Sequence, residues 1–247
     1  MKSQFLKVKD HNIHYLAEGY GERLIILPSL WLTSKSYQEI GKELSKYFTV
    51  IIPDIYKGKS IFQKPAYEIK DYVILLKAFV DKLKISKTYL LGVSLSGILA
   101  TEFSNKFPET VNKLLLISTS ATIIKMKYKL LKLISGYIRL IFNNLFSIKG
   151  FKANLMWFID SIYYFCHHPK QYLLEGLIAI KNYEKPTLKM KVTSKLIFAK
   201  KDEFIPLEIA NINSKIKNLE IEIIDKTHAW MFIEQEEMVR IIKNYFK

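Results

Sequence analysis

The sequence predicts an α/β fold: a mostly parallel, doubly wound sheet with helices on both faces and an inserted helical cap. Three observations lead there. Short, wholly apolar runs such as "LIILP" read as strands covered on both faces. These runs alternate with stretches of helical spacing, as parallel sheets require. The alternation stops near residue 121 and resumes near residue 186.

In chain order, "FLKVKDHNIHYLAE" (5–18) is two alternating stretches around "DHN", the pattern of an antiparallel hairpin. "GYGER" is a turn and "LIILP" the next strand. "SYQEIGKELSKYF" has helical spacing, "TVIIPD" is a buried strand, and "GKS" follows in a loop. "DYVILLKAFVDKLK" is an amphipathic helix. "KTYLLGVS" reads as strand, "SGILATEFSNKFP" as a helix ending before Pro108, and "VNKLLLIST" as strand again. Between 121 and about 185 no strand is legible. "LLKLISGYIRLIFNNLFSI" places apolar residues at 130, 133, 134, 137, 138, 141, 145 and 148, a helical period. "MWFIDSIYYF" and "QYLLEGLIAIKNY" continue as helix. "KVTSKLIFAKKDEFIP" restarts the strand–helix rhythm, "LEIEIID" is the last strand, and "EEMVRIIKNYF" closes the chain. The expected organisation is a core over 1–120 and 186–247, with a helical cap over 121–185. An insertion there follows a strand whose C-terminal end lies on the ligand-binding edge, so a lid over a site is expected.

Composition narrows the class. The 247 residues are 49% hydrophobic, enough to bury a core and too many for a disordered chain. No long charge-free apolar window occurs and no secretory h-region follows Met1, so neither a membrane span nor a signal peptide is expected. Cys166 is the lone cysteine and has no internal partner, which favours a reducing, cytoplasmic location. The net charge is +15, and nine of those charges fall between Ala121 and Lys191, where 12 Lys/Arg face 3 Asp/Glu. A basic segment can meet an acidic carrier protein or an anionic membrane surface, or reflect a lysine-rich composition alone. No nucleic-acid motif is present, and nucleic acid is not an expected partner.

The chemistry-bearing residues start with Ser94 in "LLGVSLSG". A serine at a strand-to-helix turn between small residues exposes its oxygen. Gly92 sits two residues before it, while Ser96 stands where a second glycine is usual and Gly97 follows one residue late. The alternative is a tight turn without chemistry. A nucleophilic serine needs a base and an orienting acid. Of five histidines, His11 and His14 fall in the hairpin and read as surface or edge residues, and His167 and His168 read as a helix end. His228, in "DKTHAW" after the last strand, opens on the same edge as Ser94. Asp202 follows a strand directly and is the candidate acid, with Glu203 and Asp225 as lesser choices. Backbone amides at Leu95 and Leu30 are the candidate oxyanion donors. Trp31, Met156, Trp157 and Trp230 are candidate substrate contacts. No cofactor and no metal are expected.

The order Ser94, Asp202, His228 and the segments around them resemble the α/β-hydrolase superfamily over nearly the whole chain. "LLGVSLSGILATEFSNKFPETVNKLLLIST" resembles its nucleophile elbow, "VIIPDIYKGKS" its Pro-Asp and Gly-x-Ser loop, "LIFAKKDEFIP" its acid segment, and "DKTHAWMFIEQEEMVRIIKNYF" its histidine loop and last helix. Two positions depart from the family. Pro28-Ser29 replaces the usual His-Gly, and Ser96 occupies the late-glycine position. The resemblance implies an α/β-hydrolase fold and a serine hydrolase acting on a carboxylic ester or thioester of an apolar acyl group. The ester could be carried on an acidic protein, as a pimeloyl-carrier-protein methyl ester is. Alternatives are a monoacylglycerol-lipase-like role, a C–C bond hydrolase or lyase on the same triad, and a non-catalytic binding protein.

Overall fold

The computed structural model describes residues 1–29, 31–55, 58–61, 68–122, 130–170, 172–174 and 187–247, with backbone alone at 130–134. Alternation in the hairpin and unbroken apolar runs in the centre give two kinds of strand. The hairpin is β1 (Lys2–Val8) and β2 (His11–Glu18), paired antiparallel. Then come β3 (Arg23–Leu27), α1 (Gln38–Leu44), β4 (Thr49–Pro53), α2 (Ile69–Lys82), β5 (Thr88–Val93), α3 (Leu95–Lys106) and β6 (Val111–Ile117). Two helices follow, α4 (Leu130–Leu145) and α5 (Ile148–His167). The chain ends with β7 (Lys189–Ala199), α6 (Glu208–Asn213), β8 (Lys217–Ile224), α7 (Trp230–Ile233) and α8 (Gln235–Phe246).

The eight strands form one sheet in the order β1-β2-β4-β3-β5-β6-β7-β8. Strands β1, β2 and β4 pair antiparallel in turn, and every other pair is parallel. From β3 the chain moves to one side, onto β4, and then to the other, onto β5. The β3–β5 boundary is therefore a switch point, where loops part and leave a crevice.

The run in β3 is wholly apolar because both its faces are covered. Ile25 and Leu27 join one apolar cluster with Phe79 of α2 and Phe103 of α3. Leu24 and Ile26 join the other with Leu44 of α1 and Ile242 and Phe246 of α8.

Three differences from the sequence reading have physical causes. The stretch 130–148 is not one helix: α4 stops at Leu145, and Ser147 caps α5 by accepting from the Gly150 amide at 2.9 Å. Helices α6 and α7 have six and four residues, too short for a period to register. His14 is not a surface residue but is buried, its Nδ1 2.7 Å from Asp54 Oδ2 and its Nε2 2.8 Å from Ser3 Oγ. The carboxylate also accepts from the Ser34 amide at 2.7 Å, so the hairpin is tied to the segment after β3.

Candidate active site

Strand β5 ends at Val93 and α3 begins at Leu95, leaving one residue to make the turn. That residue, Ser94, has φ 52° and ψ −127°, a conformation that costs an L-residue about 1–3 kcal/mol. Gly92 makes the turn possible: a Cβ there would lie 2.6 Å from Ala100 Cβ and 2.8 Å from Gly97 Cα. Gly97, one residue late for the usual spacing, lies under the side chain of Thr119, which a Cβ would meet at 2.4 Å. Ser96 is buried and its hydroxyl donates to the Pro28 carbonyl.

Parallel strands β7 and β8 deliver their following loops to the same edge as Ser94. His228 Nε2 lies 3.1 Å from Ser94 Oγ, and His228 Nδ1 lies 2.8 Å from Asp202 Oδ2. The carboxylate only accepts, so Nδ1 carries the proton and Nε2 is free to accept from the serine hydroxyl. Asp202 Oδ1 accepts from the amides of Phe204 and Ile205, each at 2.9 Å, which holds it in place. Burial disfavours the imidazolium, but the charge and hydrogen bond of Asp202, with the charge of Glu203, outweigh it and raise the His228 pKa.

Glu203 does not take the orienting role. One of its oxygens accepts from the His228 amide at 2.9 Å and the other from Asn143 Nδ2 of α4 at 2.7 Å. Arg139 of α4 donates to the Glu203 carbonyl at 3.0 Å. Glu203 thus ties the histidine loop to α4. Its position beside Asp202 was the only sequence signal for this. Asp225 is exposed and pairs with Lys201 at 2.9 Å.

Leu95 opens α3, where first-turn amides have no partner within the helix and the helix dipole favours negative charge. Leu30 lies outside the described residues. Around it, the Ser29 amide donates to Tyr37 Oη at 3.0 Å, and Thr33 donates its amide and its hydroxyl to Asp160 at 2.8 and 2.7 Å. Ser36 Oγ donates to the same carboxylate at 2.5 Å. Asp160 is 1% exposed and comes from α5, so a buried acid of that helix grips the loop after β3. The signal for it was a lone acidic residue in "MWFIDSIYYF".

Trp31 stacks on Tyr172 at 5.5 Å between centroids and lies 5.4 Å from Tyr137. Tyr137 meets Phe204 edge-on at 4.9 Å, and Phe204 meets His228 edge-on at 4.8 Å. An aromatic row therefore joins the loop after β3 to the histidine. Met156 is half-buried and lines a groove of about 270 Å³ with Lys35, Lys152, Leu155, Ile159 and Asp160. Trp157 meets Phe232 edge-on at 5.2 Å. Trp230 is fully buried in the α1–α8 cluster, so it is a core residue rather than a substrate contact. His167 and His168 end α5. Among the described residues no cluster of His, Cys, Asp and Glu could hold a metal ion.

Residues 22–151 match the model of a family described as alpha/beta hydrolase fold. A 2-hydroxy-6-oxononadienedioate/2-hydroxy-6-oxononatrienedioate hydrolase of Pseudomonas putida is 22% identical, over 92% of this chain and 90% of that one. An uncharacterized carboxylesterase of Bacillus subtilis is 27% identical over 63% of this chain and 58% of its own length. The first curated relatives are matched over only about a third of their length (34%). The crystal structure of an enol-lactonase from Burkholderia xenovorans superposes with a TM-score of 0.80, covering 98% of this chain and 99% of that one at 17% identity.

Proposed function

The chain belongs to the alpha/beta hydrolase fold family, and from that premise we propose that it is a serine hydrolase cleaving a carboxylic ester or thioester of an apolar acyl group. The observation that carries the reading is the unbroken line from Ser94 Oγ through the His228 imidazole to the Asp202 carboxylate. A fold alone does not name a reaction, but such a line has a direct chemical use.

In this mechanism Ser94 Oγ attacks the acyl carbon and its proton passes to His228 Nε2. The resulting imidazolium is stabilised by Asp202. The developing oxyanion is met by the Leu95 amide, with Leu30 as the proposed second donor. Collapse breaks the bond to the leaving oxygen or sulfur, which takes the proton from His228. Water then gives a proton to His228 and its oxygen to the acyl carbon, freeing the acid and restoring the Ser94 hydroxyl. The aromatic row of Trp31, Tyr137 and Phe204 supports an apolar acyl part. A lone exposed, unpaired Cys166 fits the cytoplasmic location we propose.

The test is labelling by a fluorophosphonate probe. Labelling of the parent and none of Ser94→Ala is expected; equal labelling of both would sink the nucleophile assignment. A p-nitrophenyl ester series of rising acyl length then measures the pocket. The near full-length similarity to a dienedioate hydrolase favours C–C bond hydrolysis as the second reading. Turnover of a vinylogous 1,5-diketone, without turnover of esters, would select it.

A further inference from the structure

Helices α4 and α5 carry apolar residues on two opposite faces. One face of α5, with Ala153, Trp157, Asp160 and Tyr164, turns onto the rest of the fold. The other presents Ile148, Phe151, Leu155, Phe158, Ile162 and Phe165, one every three or four residues, and all six are exposed. On α4, Ile138, Ile141, Phe142 and Leu145 repeat the arrangement. At the hairpin tip Phe146 and Ile148 are 89% and 91% exposed, on either side of Ser147. A surface helix ordinarily turns polar residues outward, and a contiguous apolar face of this extent marks a docking surface.

The exposed charge that α5 itself carries is basic. Lys149, Lys152 and Lys170 are exposed along that face. From 130 to 170 the one acidic residue in the sequence is Asp160, which is buried and spent on Thr33 and Ser36. The groove beside α5 sets Lys35 and Lys152 over the apolar Leu155, Met156 and Ile159, although Lys152 also meets Glu39 at 3.5 Å. A second copy docked on this face would bring the lysines of α5 against each other, with no exposed acid on α4 or α5 to pair them. An anionic lipid surface offers apolar chains to the stripe and phosphates to the lysines.

We propose that the outward face of α4 and α5 docks on an anionic lipid bilayer, lying in the interface with Phe146 and Ile148 inserted at the tip. No described helix is long and apolar enough to cross a membrane, which fits an in-plane arrangement. Docking there would present the α4–α5 hairpin, to which Glu203 and Thr33 are tied, to lipid-dissolved molecules. The proposal does not rest on the hydrolase reading, since binding is scored without turnover.

The experiment is co-sedimentation of the full chain with vesicles of phosphatidylcholine, alone or mixed with phosphatidylglycerol. Binding to the mixed vesicles that weakens with salt is expected, and Ser94→Ala should bind like the parent. Phe146→Asp with Ile148→Asp should lower partitioning at least about tenfold, from the loss of two apolar side chains. Lys149→Glu with Lys152→Glu should remove the preference for phosphatidylglycerol. All four side chains are exposed, and unchanged circular dichroism and melting would establish that the variants fold. Absence of binding by the parent, or equal binding by the tip variant, overturns the proposal. So does a parent dimer in sedimentation equilibrium that the tip variant dissolves, since that assigns the face to a second copy.

Discussion

The hydroxyl of Ser96 donates a hydrogen bond to the carbonyl of Pro28. These are the two places where the sequence departs from the family pattern, and they are bonded to each other. The bond crosses the β3–β5 switch point, joining the first turn of α3 to the loop that follows β3. A serine in place of the late glycine therefore has a structural task, which is to hold that loop against the nucleophile elbow. Ser96→Ala should lower stability by about 1 kcal/mol in urea unfolding, the typical net value of one hydrogen bond. It should also lower kcat for a p-nitrophenyl ester while leaving KM nearly unchanged, because that loop carries the second oxyanion donor proposed above. A normal kcat in Ser96→Ala would confine the bond to stability.

Ser94 is strained where it stands, with φ 52°. Ser94→Ala should remove at least about 10³-fold of esterase kcat. Ser94→Gly should be as inactive but at least as stable as Ser94→Ala, by about 1 kcal/mol, because glycine accepts this backbone freely. Calorimetric melting of the two variants makes the comparison.

In the proposed mechanism His228 must be neutral to take the serine proton. Its raised pKa means that it stays protonated, and inactive as a base, to a higher pH than an ordinary histidine. The acid limb of kcat/KM should therefore have its midpoint above about 6.5, rising with pH. Glu203 contributes to that rise, so Glu203→Gln should move the midpoint to lower pH. Asp202→Asn should lower kcat by about 10⁴-fold, through loss of the tautomer with the proton on Nδ1. A pH–rate profile of the three proteins decides each point.

Asp160 accepts three hydrogen bonds from Thr33 and Ser36 while buried. Asp160→Ala leaves those donors without the carboxylate and should cost about 3 kcal/mol. Asp160→Asn keeps the shape and can still accept, so it should cost less. If the carboxylate also positions the loop after β3, Asp160→Asn will lower kcat with stability largely kept. Denaturation and ester kinetics on both variants separate the two effects.

Local pattern carried much of this molecule. Apolar runs of four to six residues announced β3 to β6, because a strand covered on both faces needs no polar position. The chain order of Ser94, Asp202 and His228 was readable because each lies in the turn or loop that follows a strand, and parallel strands send those loops to one edge. His14 was misread, since alternation in a hairpin says which residues share a face but not whether a buried carboxylate just after β4 waits on it. Trp230 was misread for a similar reason: a tryptophan beside a histidine loop can face inward, and only packing says which.

By itself the sequence determined the sheet class and put Ser94, Asp202 and His228 after strands of that sheet. Those follow from period and from order along the chain, which are local properties. Tertiary structure alone decided that Asp202 meets Nδ1 of His228 while Glu203 ties the histidine loop to α4. It also decided that Asp160 grips Thr33 across 127 residues, and that one face of α5 is left uncovered. Hydrogen bonds of such separation form only after the strands have set the loops side by side, so no local pattern can announce them.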